Sequence, residues 1–262
     1  MTKVKNEDLT PKIFETTAKE MYSLMSTFSE SRWAKSKFSQ AYRDEASAYL
    51  PLRREFFEIT KSIYRHFLPQ HAGNRILDLG CGDGLFVEEL LKIDSYIEVV
   101  LIDGSDDMLN AARERLSLHP GIQFIRAGFQ ELLKSDPLPN NFDFVFSSLA
   151  IHHLTIEEKE RLYSFIYDHL NSGGHFVHYD VVLSPTEGLE KWYLSLWSEW
   201  IEQKAHKTIR ERVLPIPQQY KNNKDNTPDT LKSQMEALER IGFQNVDCYL
   251  KYGIFSLFGG KK

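Results

Sequence analysis

Residues 76–84 read ILDLGCGDG: an apolar run around Asp78, then glycine at every second position, 80, 82 and 84. The run has the composition of a buried strand. Glycines directly behind a strand permit positive φ and let main chain touch a ligand with no Cβ in the way. The neighbouring residues narrow the ligand. Leu85 stands three beyond Gly82, where a dinucleotide-binding G-x-G-x-x-G turn requires glycine or alanine. No G-x-x-x-x-G-K-S/T phosphate loop occurs in the chain. Asp103 closes the next apolar run, EVVLID, 23 residues after Gly80, where a carboxylate can accept both hydroxyls of a ribose.

A glycine turn with a ribose-reading acid and no phosphate site implies a nucleoside ligand, and S-adenosylmethionine is such a ligand. Outward from this stretch, short apolar runs alternate with amphipathic ones: RILDL, EVVLID, IQFIRA, FDFVFSSL and HFVHYDVV, with helices beginning near Leu85, Ser105 and Ile156. Strands separated by helices or long crossovers predict parallel βαβ units in a doubly wound sheet, which binds ligands at the carboxyl ends of its strands. FQNVDCYLKY and IFSLFGG, joined at Gly253, predict a closing antiparallel hairpin, and Thr230 to Ile241 a helix stopped by Gly242 with its N-cap near Asp229.

Before Arg75 the spacing is helical, at Phe14, Ala18, Met21, Tyr22 and Met25 and again at Phe56, Phe57, Ile59, Ile63 and Phe67, with Pro51 placed to open the second helix. The division this predicts is an N-terminal helical cap over 1–70 and a main domain over 71–262. Within the latter, 185–228 inserts an aromatic helix carrying Trp192, Trp197 and Trp200, then the polar loop KNNKDNTPD at 221–229. The charged run EEKER at 157–161 reads as a solvated helix face.

The 262 residues, 42% hydrophobic and 26% charged, carry a formal net charge of −5, which supplies no basic field for nucleic acid and disfavours such a substrate. No apolar run approaches the roughly 20 residues that cross a bilayer, and no secretory leader is recognisable, so a cytoplasmic protein without membrane partners is expected. Cys81 and Cys248 form no cluster of metal-ligand spacing, so no metal is expected.

ILDLGCGDG, LIDGSDDML (101–109), FDFVFSSLAIHHL (142–154) and LNSGGHFVHYD (170–180), in that order, resemble the successive motifs of class I S-adenosylmethionine-dependent methyltransferases of small-molecule type. The resemblance implies a Rossmann-like, mostly parallel seven-stranded sheet with a C-terminal antiparallel hairpin. It also implies S-adenosylmethionine as cofactor and S-adenosylhomocysteine as product. It places Gly80, Cys81 and Gly82 against the methionine moiety, Asp78 behind that turn, Asp103 on the ribose, and Gly104, Ser105 and Met108 beside ribose and adenine. Ser147, Ser148 and Leu149 would line the reactive end. AYRDEASAYLP resembles the family's cap, whose tyrosine, here Tyr42, approaches the cofactor. Where relatives have an acid before a small residue to meet the adenine amino group, this chain has Ala127-Gly128-Phe129, which shifts that contact to the main chain and ring of Phe129.

A sulfonium methyl is already activated, so the protein must align the acceptor and exclude water; a base is needed only where the acceptor must lose a proton. Candidate bases at strand ends are His152 and Asp180, with His153 beside them, and Tyr179 and Trp197 are candidate acceptor contacts. The expected partner is a small-molecule acceptor, with a homodimer left open. Two alternatives stand beside methyl transfer to a small molecule: a tRNA- or nucleoside-modifying enzyme using the same cofactor, and a non-catalytic cofactor-binding module.

Overall fold

A computed structural model describes residues 36–69, 72–135, 138 and 141–262; the helical spacing read over 14–25 lies outside them. Strands β1 (Arg75–Leu79), β2 (Glu98–Asp103), β3 (Ile122–Arg126), β4 (Phe142–Ser148), β5 (Leu170–Val181), β6 (Gln244–Tyr252) and β7 (Phe255–Lys261) form one sheet in the order β3-β2-β1-β4-β5-β7-β6. The pairs β3-β2, β2-β1, β1-β4 and β4-β5 are parallel, whereas β7 runs antiparallel to both β5 and β6. Strand order reverses between β1 and β4, and the crevice beyond their carboxyl ends is where such a sheet holds a ligand.

The period of two in the strands sends alternate residues to two cores. Phe144 and Phe146 of β4 face one side with Val177, Phe86 and, from the N-terminal helices, Phe56 and Tyr64. Val145 faces the other with Leu77, Leu162, Ile166 and Phe258. Each wholly buried Phe contributes about 1.5–3 kcal/mol of transfer free energy, so both faces need helical cover. On one face lie α1 (Ser36–Tyr49), α2 (Arg53–Phe67) and α3 (Leu85–Leu91), and on the other α6 (Ile156–His169) and α10 (Leu231–Ile241). Helix α4 (Asp106–Arg115) connects β2 to β3, and α7 (Glu187–Lys204), α8 (Lys207–Val213) and α9 (Ile216–Asn222) follow β5.

Local chemistry sets the ends of these elements. Helix α6 opens on a capping box, with the Thr155 hydroxyl accepting from the Glu158 amide and the Glu158 carboxylate from that of Thr155. Helix α2 is tied to the sheet by the Tyr64 hydroxyl, which donates to Asp94 Oδ2 at 2.7 Å and accepts from Asn74 at 2.9 Å.

Several boundaries differ from expectation. The seven-residue α5 (Phe129–Ser135) is too short to show a helical period, and it opens where the Gly128 amide donates to Glu131 Oε2 at 2.8 Å. Helix α2 starts two residues after Pro51, behind Leu52 at φ 53. Thr230, not Asp229, caps α10, because its hydroxyl reaches the Ser233 amide. Residues 221 and 222 of the polar stretch still belong to α9. Nor is EEKER a solvated face: Lys159 is wholly buried, and its ammonium donates to Thr227 O at 2.6 Å and Asp229 Oδ2 at 2.5 Å.

Candidate active site

The loop after β1 is stitched to β2 by its own main chain. The amides of Gly80 and Cys81 both donate to Ile102 O, at 2.8 and 2.9 Å. Both amides are therefore committed within the protein. Asp103 accepts from the Gly82 amide through Oδ2 at 2.9 Å and from the Ser105 amide through Oδ1 at 2.8 Å, so each oxygen keeps acceptor capacity for a ribose hydroxyl. A Cβ on Gly80 would stand 2.4 Å from Ala150 Cβ at φ +69, whereas Gly82, at φ +55, has no atom within 4 Å of that position. One glycine is required by packing; the other leaves an open cradle. Arg115 fixes the far side of the loop, pairing with Asp83 at 2.6 Å and Glu88 at 2.9 Å.

Burial and the neighbouring Asp103 and Asp83 hold the Asp78 carboxyl well above the usual carboxylate range. Burial also pushes Asp103 up to about 6, against the pull of its two amide donors. On the adenine side, Ser105 caps α4 through the Met108 amide and both residues are buried, while Gly104 lies buried between Asp103 and this cap. The Gly128 amide is committed to Glu131, and the Phe129 ring comes within 3.4 Å of the Cβ position of Gly80, so the ring reaches the glycine loop. Helix α1 is fastened over this region by Arg43, which pairs with Asp107 at 2.9 Å. Tyr42, on the same helix, feels both ends of the crevice: burial raises its phenol pKa, Arg53 opposes this, and Asp83, Asp180 and Asp103 add to it.

At the reactive end the Ser147 hydroxyl is spent on Leu79 O at 2.7 Å, while Ser148 is half-buried. Leu149 is held at φ 53, with its amide donating to Tyr179 O at 2.7 Å; such left-handed non-glycine residues persist where the surroundings over-determine them. Beyond it, a short helical turn, Ile151–His153, brings His152 onto Asp180. The imidazole Nδ1 lies 2.6 Å from Asp180 Oδ1, and the His152 amide donates to Oδ2 at 2.8 Å.

Asp180 is 1% exposed and also accepts from its neighbour's amide, Val181 N at 2.8 Å, and from His178 Nε2 at 3.0 Å. Burial disfavours its charge, but the interactions with His152 and His178 outweigh burial and hold the carboxyl well below the usual range. Asp180 is therefore a fixed anion rather than a proton acceptor, and it does not cap the following helix, a role taken by Thr186. It orients the His152 ring by accepting from Nδ1–H. The network continues through residues the sequence reading missed. His178 Nδ1 is 3.4 Å from the Tyr163 hydroxyl, which donates to Gln234 Oε1 at 2.8 Å. His178 could have been found from its spacing to Asp180, since alternate strand residues share a face; Tyr163 and Gln234 carry no local signal.

Tyr179 points to the opposite face from Asp180 and stacks on Phe56. Trp197 is buried between Tyr220 and Phe255, and its indole N–H is committed to Tyr49 O at 2.5 Å, so it serves to seat α7 on α1. Among the described residues no group of His, Cys, Asp and Glu could hold a metal ion, and no helix is long and apolar enough to cross a membrane.

The family pattern described as a methyltransferase domain matches residues 76–174, from the glycine-loop strand into β5. The fold is also that of an O-methyltransferase family protein from Burkholderia thailandensis, with a TM-score of 0.62 at 14% identity over 89% of this chain and 62% of that one. The chain carries a class I S-adenosylmethionine-dependent methyltransferase domain. It is 21% identical to a carboxy-S-adenosyl-L-methionine synthase of Nautilia profundicola over 84% of its own length and 90% of the relative's. It is also 30% identical, over 79 residues and 29% of the relative, to a malonyl-acyl-carrier protein O-methyltransferase of Halalkalibacterium halodurans. The chain spans less than two thirds of the solved Burkholderia protein.

The cofactor of the methyltransferase domain is S-adenosylmethionine, and the residues present fit it. The cradle at Gly82 is open, Asp103 has acceptor capacity to spare at the ribose position, and the surrounding carboxylates suit a ligand that carries a sulfonium cation.

Proposed function

We propose that the domain transfers a methyl group from S-adenosylmethionine to a small-molecule acceptor held between the N-terminal helices and the carboxyl ends of β4 and β5. One observation carries the reading: α1 is bolted across the crevice on both sides. Arg43 joins it to Asp107 beside the adenine position, and Glu45 joins it to Arg212 of α8 at 2.5 Å. A crevice roofed in this way suits a small acceptor better than a macromolecule. The net charge of −5 argues against a nucleic acid as well.

When bound, the cofactor supplies an activated methyl on a sulfonium, which leaves by in-line displacement. The chain's own residues do the remaining work. Gly80 and Gly82 give a main-chain cradle, Asp103 receives the ribose, and the roof excludes water. His152, oriented by Asp180 through Nδ1, is the group placed to take a proton from an acceptor that must lose one. Asp180 and His178 act through His152 as positioning residues.

A second reading has its own support. The alignment with the carboxy-S-adenosyl-L-methionine synthase runs nearly end to end, which favours a reaction that modifies the cofactor itself. Mass spectrometry of the protein incubated with S-adenosylmethionine and a panel of small alcohols, amines, thiols and carboxylic acids separates the readings. S-adenosylhomocysteine with a methylated acceptor supports methyl transfer; a carboxylated sulfonium nucleoside supports the second reading; thermal stabilisation by the cofactor without any product supports a binding module.

A further inference from the structure

Two buried hydrogen-bond donors, one on α2 and one on β5, have nothing to donate to. Tyr179 is wholly buried, its ring stacks on Phe56 with centroids 4.1 Å apart, and its hydroxyl has no hydrogen-bond partner. Arg53, one helical turn before Phe56 on α2, has its Nε buried and equally unpartnered. The Arg53 guanidinium lies 5.6 Å from the centroid of the Phe57 ring, and among the described residues no carboxylate pairs with it.

Tyr179 stands at the end of β5, where its carbonyl accepts from the Leu149 amide at 2.7 Å, and Arg53 lies one turn before the Phe56 ring that Tyr179 stacks on. The Arg53 charge acts on the phenols of Tyr42 and Tyr179, and the other charged groups acting on Tyr42 are the carboxylates of Asp83, Asp103 and Asp180. A site otherwise rich in acid thus keeps one unpaired cation beside an unpaired phenol. Buried donors in native proteins are nearly always satisfied, and here the half-buried Arg53 keeps a buried Nε–H, and the wholly buried Tyr179 an O–H, for a ligand to complete.

We infer that Arg53 and Tyr179 together bind a carboxylate, the guanidinium supplying charge and N–H donors and the phenol an O–H from the sheet side. The inference rests on the reading that the crevice binds S-adenosylmethionine. The carboxylate has two sources, the amino-acid end of the cofactor or an acidic acceptor, and both present the same planar pair of oxygens that Arg recognises by two parallel N–H bonds.

Isothermal titration of the full chain and of its Arg53→Met and Tyr179→Phe variants tests this with three probes. These are S-adenosylhomocysteine, methylthioadenosine (the same nucleoside and thioether without the amino acid), and benzoate against benzamide on protein already loaded with S-adenosylhomocysteine. If the cofactor supplies the carboxylate, Arg53→Met weakens S-adenosylhomocysteine roughly 10- to 100-fold and leaves methylthioadenosine unchanged, with a smaller loss for Tyr179→Phe. If the acceptor supplies it, both nucleosides bind as before, but a preference for benzoate over benzamide in the unmodified protein vanishes in both variants. Retained methylthioadenosine binding shows that a variant is folded, and Arg53→Lys, which keeps the charge, should recover part of any loss. The inference is overturned if the variants bind S-adenosylhomocysteine normally and no benzoate preference is there to lose, or if that preference survives them. Failure of the unmodified protein to bind S-adenosylhomocysteine would instead remove the proposed methyl transfer.

Discussion

Where β1 and β2 end, the crevice is made of main chain; where β4 and β5 end, it is made of side chains. In the first half the amides of Gly80, Cys81 and Gly82 and the carboxylate of Asp103 lock one loop to one strand within 24 residues of sequence. In the second, Asp180 is surrounded by His152 and His178, and the chain of contacts runs on through Tyr163 to Gln234, across 83 residues. A main-chain site needs glycine at fixed positions and tolerates little else. A side-chain site needs only that distant elements pack correctly, and its chemistry can change without disturbing the cradle.

Removing the charge at the centre of the second half should be the most damaging change. Asp180→Asn leaves two buried histidines facing an amide, and breaking a buried charged network by removing one member costs about 3–5 kcal/mol, read from denaturant unfolding. The pH dependence has a definite sign. Because the folded carboxyl lies below its unfolded value, the stabilisation is fully present above the ordinary aspartate range near pH 4 and is lost as pH falls below it. The variant should show a flatter acid limb than the unmodified protein; equal limbs would mean that the network contributes nothing.

Glycine substitutions sharpen the comparison from the other side. Gly80→Ala drives a methyl group into Ala150 at positive φ, for about 2–4 kcal/mol and loss of S-adenosylhomocysteine binding. Gly82→Ala meets no atom within 4 Å, so only the left-handed cost of about 1–2 kcal/mol remains. Its methyl group then occupies the cradle, and affinity should fall far more than stability. Equal stability losses for the two would contradict the packing described.

The ribose acid gives a smaller and reversible effect. A ribose donates hydroxyls to a carboxylate, and burial pushes Asp103 up to about 6. Affinity for S-adenosylhomocysteine should therefore be level above about pH 7 and weaken by about tenfold per unit below about pH 6, as the carboxyl protonates. Asp103→Asn should be weak at every pH and lose this dependence.

The same contrast explains what could be read in the sequence. Gly80, Gly82 and Asp103 were legible because a main-chain site fixes residue type and spacing, and the succession of short apolar runs and amphipathic stretches declared a doubly wound parallel sheet. Arg53 was not, since nothing in LRRE distinguishes it from the exposed Arg54 until α2 is seated against β5. Lys159 misled for a related reason: charge predicts solvent, and only the return of the chain at Asp229 supplies the partner that permits burial. Trp197 looked like an acceptor contact because an aromatic stripe is equally suited to a pocket and to a core.

That return of the chain supplies the smallest and most specific break in the comparison. KNNKDNTPD reads as a polar loop, and most of it is exposed, yet Thr227 fastens it to the turn that carries His152. Its amide donates to His152 O at 2.9 Å, and its hydroxyl donates to Leu154 O at 2.7 Å. Thr227→Ala keeps the amide bond and removes the hydroxyl, so stability should fall by only about 0.5–1.5 kcal/mol, and the glycine cradle, on the other side of the sheet's switch point, should bind S-adenosylhomocysteine unchanged. The histidine turn should loosen, visible as faster amide exchange at His152 and His153 with no change at Gly80 and Gly82. Were exchange at the glycine loop to rise equally, the two halves of the crevice would be one cooperative unit, and the division between main-chain and side-chain construction would have no dynamic counterpart.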